Sequence, residues 1–256
     1  MTGPELLLAA AIWPGFAPFA AVQPGPDETV SAMHCTDDRR WCAELSQDVD
    51  SGRWTLAVFA GRPSEPTTPA ATLMLAEDDL NAEYRLWPRI LRTAGPAEEL
   101  LIGVEIELSA AYSGGGGSAT RLRLIRVAPS GGGYAAREAW NAPLAATLSI
   151  RACFGEDDER RRLGACEDRY TFDATLAAAP AARGLPALTY RARATAYPAD
   201  ASRGSDSTQR PPLSQAGLRE AEDARCSFSR TLTFSAGRKV YRPNAPLPDC
   251  SDYTEP

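Results

Sequence analysis

Apolar residues recur at every second position in segment after segment of this chain, and that period decides which folds are open to it. In 144–154, Leu144, Ala146, Leu148, Ile150, Ala152 and Phe154 fall on one face, and Thr147, Ser149 and Arg151 on the other. In 101–112, Ile102, Val104, Ile106, Leu108, Ala110 and Tyr112 alternate with Glu105, Glu107 and Ser109. The pattern returns at Tyr170, Phe172, Ala174 and Leu176, at Leu188, Tyr190, Ala192 and Ala194, and at Phe228, Leu232 and Phe234. Successive side chains on a strand point to opposite faces, so each segment reads as a strand with one face on a core. Trp41, Ala43 and Leu45, then the turn Asp48–Gly52, then Trp54, Leu56 and Val58 read as a hairpin. Shorter strands are expected near 71–75 and 83–87; Glu77-Asp78-Asp79-Leu80 could open a short helix, but Pro88 argues against a long one. The fold class that follows is mostly β with little helix, an antiparallel β-sandwich or jelly-roll-like architecture.

The six cysteines add a second constraint. They fall into three short-range pairs, Cys35 with Cys42, Cys153 with Cys166, and Cys226 with Cys250. Each pair brackets a polar loop or opens an alternating segment, the way disulfides staple a β-rich protein in an oxidising compartment. Six cysteines allow fifteen pairings, so proximity is a guide and not a proof. Zinc is the competing use. Cys35 and Cys42 are spaced too widely for a structural zinc pair, and His34 is the only histidine.

The start of the chain points to the same compartment. Leu6 to Trp13 is apolar, Pro14-Gly15 breaks it, and small residues follow through Ala21. Residues 1–22 therefore read as a signal peptide or as an N-terminal apolar segment folded as a strand. A cationic start is missing, since no Lys or Arg precedes Arg39. The run is too short to cross a bilayer as a helix, and an integral membrane protein is not expected.

Residues 30–256 form the β-rich region. An echo between the acidic-basic stretches after Cys35 and Cys153 would divide it into two lobes near 129–134. Gly114–Gly117 reads as a mobile hairpin loop, and the polar tract Pro198–Gly217 as a loosely held one.

Chemistry is sparsely signalled. The formal net charge of −6 disfavours nucleic acid as a partner. A Ser-His-Asp or Cys-His site could draw only on His34, which sits beside a disulfide. No sequence motif calls for a cofactor. The acidic candidates are Glu105 and Glu107, two apart on one strand face, and Asp157 and Asp158 in the central disulfide loop. The first pair could join a glycan-hydrolysing carboxylate set, although a solvated strand face explains it equally. The second could attract calcium, but the pattern lacks the later glutamate of a calcium loop. Trp41, Trp54, Trp87 and Trp140 are assigned to the core in preference to an exposed sugar-stacking platform. The expectation is an exported, periplasmic or secreted envelope protein, a non-catalytic interaction or structural module whose partner is an envelope protein or a glycan. A carboxylate-based glycan hydrolase and a small-ligand binding protein are the alternatives.

Overall fold

The alternating segments become strands, and they assemble almost in sequence order. The computed structural model describes residues 15–22, 33–61, 68–75, 82–94, 98–181 and 183–256. Residues 1–14 and the 77–80 segment lie outside the described residues. The N-terminal strands are β1 (Ala17–Pro18), β2 (Ala20–Ala21), β3 (His34–Cys35), β4 (Trp41–Gln47), β5 (Trp54–Ala60) and β6 (Ala71–Met74). The long central strands are β7 (Glu83–Arg92), β8 (Leu100–Tyr112), β9 (Gly115–Ser130) and β10 (Gly133–Arg151). After a short helix, α1 (Glu156–Arg161), come β11 (Glu167–Ala178), β12 (Leu188–Tyr197), β13 (Ala221–Glu222), β14 (Phe228–Ser235) and β15 (Val240–Pro243). A last turn of helix, α2 (Ser251–Thr254), closes the chain.

Two antiparallel sheets pack together. The larger runs β1–β7–β8–β9–β10–β11–β12–β14–β15, with β13 added to β12, and the smaller runs β2–β3–β4–β5–β6. Neighbours in sequence are mostly neighbours in space because short turns close antiparallel pairs. The exposed edges are short, and β15 ends in Pro243, which cannot donate to a further strand.

The central strands are buried on both sides. Ile102, Val104, Ile125 and Val127 pack with Trp41, Ala43, Leu56 and Val58 of the smaller sheet. Leu101, Leu122, Leu124 and Trp140 belong to a second core with Phe172, Leu188, Tyr190 and Leu232. Every residue from Leu100 to Val104 is consequently buried, although alternation alone predicts one wet face there. Between the sheets, the buried Glu98 carboxylate accepts from Trp41 Nε1 at 2.9 Å and from Arg92 Nε at 2.7 Å. The tract at 129–134 is the turn of the β9–β10 hairpin, with Gly133 opposite Ser130. Ile125 and Val127 before that turn and Tyr134 and Ala136 after it share one core.

Gly15–Val22, within the segment read from sequence as a signal peptide or an apolar N-terminal strand, is built into the fold. Ala17 pairs with Ile90 in the larger sheet, and Ala20 with Cys35 in the smaller. Phe19, at the crossing between sheets, is completely buried and donates its backbone N–H to the Pro88 carbonyl at 3.0 Å.

Several local expectations are corrected. Strand β7 does not stop at Trp87 but continues to Arg92. The register shifts between Leu86 and Ile90, so Pro88 sits in an irregularity where a missing N–H breaks no ladder bond. Gly115–Gly117 is not a loop: the turn is confined to Ser113 and Gly114, and the next three glycines lie in β9. A Cβ on Gly117 would stand 2.4 Å from the Thr147 carbonyl oxygen, so glycine here permits close strand approach. The Pro198–Gly217 tract is held in place. Arg210 donates to the carbonyls of Asp200, Ser202 and Ser205, Arg161 to those of Thr208 and Arg210, and Leu213 is buried. Phe154 leaves the alternation of 144–154, since β10 ends at Arg151 and the ring is 62% exposed.

Candidate functional site

The three disulfides take every cysteine and join those nearest in sequence, Cys35–Cys42, Cys153–Cys166 and Cys226–Cys250. The second closes one end of the larger sheet. Strands β10 and β11 finish there at the cross-strand pair Arg151 and Glu167, and the bridge ties the chain just beyond. Between the two cysteines, α1 makes little more than one turn. The Asp158 carboxylate accepts from the Phe154 N–H at 3.0 Å, which fixes the segment leading into the helix. Behind α1 lies a buried charge cluster. Asp168 binds Arg162 through Oδ1 and Arg210 through Oδ2, the latter at 2.8 Å. Arg162 Nε donates to the Ala165 carbonyl at 2.8 Å.

This frame leaves an open groove of about 570 Å³ on the outer face. Its lining includes Ser149, Arg151, Phe154, Glu159 and Glu167, with the Cys153–Cys166 bridge as part of the wall. Arg151 is tied down twice, by its Nε to the Cys153 carbonyl at 2.8 Å and by its backbone N–H to the Gly114 carbonyl at 2.7 Å. Its guanidinium lies 5.2 Å from the centroid of the exposed Phe154 ring. The groove thus joins an aromatic surface, a fixed cation, two carboxylates and a hydroxyl. Such a set orients a polar ligand by hydrogen bonds and stacks an apolar face of it on the ring.

The same sheet face continues away from the groove as an ordered polar surface. Below Arg151 and Glu167, the register aligns Ala111, Gly116, Ser149, Arg169 and Tyr197. The next row is Ser109, Ser118, Thr147, Thr171 and Thr195, a hydroxyl on each of five adjacent strands. Ser109 and Thr147 are exposed, Ser118 and Thr171 half-buried, and Thr195 buried. Arg169 closes the upper row against Tyr197, its guanidinium 4.7 Å from the ring centroid. Adjacent strands lie about 4.7–4.9 Å apart, which sets the spacing of the hydroxyls.

The acidic candidates are not gathered into one site. Glu105 and Glu107 share a face of β8, and Glu107 is ion-paired with Arg85. Burial raises the Glu105 pKa; Arg85 opposes that shift and the Glu107 charge adds to it. Asp157 and Asp158 lie on α1, where Asp157 is exposed and paired with Arg160. His34 packs its ring at 5.8 Å from that of Phe19. Among the described residues, no group of three or more His, Cys, Asp or Glu is placed to hold a metal ion. Trp41, Trp87 and Trp140 are buried, and Trp54 is half-buried.

Of the site candidates named from sequence, only Cys153 and Cys166 line the groove, together with Gly114 and Gly115 of the glycine tract. Phe154 was missed because the alternation places it on the buried side; Arg151 stood on the polar face, and only the register brings it beside Glu167. The polar phase of each strand was legible, but the row it builds depends on register across five strands.

The fold and site define a disulfide-locked antiparallel β protein with a polar groove at one end of its larger sheet. No family model matches the chain, and no curated protein and no solved structure resembles it. Three disulfides mark a protein of an oxidising, extracellular environment. Among the described residues, no helix is long and apolar enough to cross a membrane.

Proposed function

We propose that this is an exported protein of the cell envelope, periplasmic or secreted, that acts as a non-catalytic binding module. The observation that carries the reading is the engagement of all six cysteines in three bridges, each securing a strand end, a loop or the tail. Such a framework persists only where thiols are not kept reduced. The groove supports binding as the activity, because its polar lining faces open space while Arg151 is held by two backbone bonds and the wall by a disulfide.

Export sets a condition on the start of the chain. Cleavage after Ala20 or Ala21 would strip Phe16 and Phe19 from the cores they fill. On this reading any cleavage falls ahead of Phe16. The test is the intact mass of the protein extracted natively after rapid thiol alkylation, with fractionation of the cells. The expected species carries no alkylated cysteine, retains Phe16 and Phe19, and sits outside the cytoplasm. Six alkylated cysteines in a cytoplasmic fraction would overturn the proposal.

A further inference from the structure

We infer that the groove beside the Cys153–Cys166 bridge, with the hydroxyl face below it, binds a neutral oligosaccharide chain. This rests on the reading of the protein as a binding module and names the ligand class of that site. The groove, about 570 Å³, is within the size range of small-molecule sites. Its aromatic residue is, with Tyr112, one of two exposed large aromatic side chains among the described residues. Trp41, Trp87 and Trp140 are buried, whereas the Phe154 ring stands in solvent. The ring's position is nevertheless constrained. Its own N–H is bound by Asp158, the preceding residue is bridged to Cys166, and the Arg151 guanidinium lies over its ring. A pre-positioned aromatic face loses little entropy on stacking against the C–H face of a pyranose ring.

The polar partners match the rest of a sugar. Sugar hydroxyls both donate and accept. The Ser149 hydroxyl can do either, the Glu159 and Glu167 carboxylates accept, and Arg151 donates. The same carboxylates oppose a phosphate-bearing ligand, and the polar walls oppose a lipid tail. Beyond the groove, the face steps from Arg151 and Glu167 to Ser149 and Arg169, and then to Ser118, Thr147 and Thr171. Successive rows on one face lie about 6.7 Å apart, two residues along the strand. The surface is a strip and not a closed pocket, which fits an extended chain of linked sugars with its end in the groove. The accessible part of the row, Ser109, Ser118, Thr147 and Thr171, presents only hydroxyl side chains, leaving little apolar surface to hold a second copy of the chain.

The experiment is isothermal titration of the disulfide-intact protein with cellohexaose, xylohexaose, maltohexaose and N-acetylchitohexaose. At least one should bind with Kd below about 1 mM. Phe154→Ala should weaken that binding at least about tenfold, and Phe154→Trp should retain it. Thr147→Val, which keeps the shape but removes a ladder hydroxyl, should weaken it severalfold. All three side-chain changes are at exposed positions, so an unchanged melting temperature keeps the comparison clean. No binding by any of the four sugars, or equal affinity in Phe154→Ala, would overturn the assignment. A thiol-alkylated, cytoplasmic protein would instead overturn the export reading, so the two failures have separate signatures.

Discussion

Asp168 carries two guanidinium groups in the interior, Arg162 on one oxygen and Arg210 on the other. All three side chains are at least nine-tenths buried. Removing the carboxylate would leave two buried cations facing each other, a far larger penalty than losing an exposed pair such as Arg193–Glu222. Asp168→Ala is expected to cost about 3–5 kcal/mol, and Glu222→Ala less than about 1 kcal/mol, in urea denaturation. The run Arg160-Arg161-Arg162 looks uniform in sequence, three cations beside an acidic cluster that they could neutralise. Only Arg160 does so, on Asp157; Arg161 reaches the Thr208 and Arg210 carbonyls and Arg162 turns inward to Asp168. Arg160 and Arg161 on the helix point about 100° apart and Arg162 follows at its C-terminal cap, so one run served three environments. Asp38 makes a pH-dependent contribution. The Thr36 hydroxyl first, and the Arg92 guanidinium next, hold its carboxyl well below the usual carboxylate range. That stabilisation is present above the unfolded-chain pKa of about 3.9 and is lost as pH falls from there through the folded value. The stability gap between the native protein and Asp38→Asn should accordingly be measurable at pH 7 and shrink at pH 3. A gap that stayed constant or widened would contradict this assignment.

At the level of elements, the bridges divide the work by the length of chain they close. Their sequence separations are 7, 13 and 24. Chain entropy assigns them roughly 2.5, 3 and 3.5 kcal/mol, in that order. The Cys226–Cys250 bridge ties β14 to the tail that carries α2, whose Tyr253 is buried with its ring 5.8 Å from that of Tyr170. Replacing both cysteines by alanine should lower the melting temperature by about 7–14 °C, more than the same change at Cys35 and Cys42. Calorimetry under non-reducing conditions checks the order. Strand β7 shows where element-level reading stopped short. Proline within a run normally ends it, yet Pro88 falls at a register shift and offers its carbonyl to Phe19. Only the partner strands reveal that the proline costs no ladder bond.

Over the whole molecule, β7–β10 serve both large cores, so neither can be dismantled without exposing the other. Thermal unfolding with the bridges intact should follow one cooperative transition, with near- and far-ultraviolet dichroism changing together. Two separated transitions would show independent lobes. The alternation of apolar residues was enough to establish antiparallel strands and the class of fold, because a strand's faces are written at every second position. The cysteine spacing pointed to the three bridges, because turns return nearby residues to contact. The double burial of Leu100–Val104, the outward turn of Phe154 and the row of hydroxyls were settled only by packing. Each depends on which distant strand lies alongside or across, and a local pattern holds no record of register between strands or of the layer that covers a face.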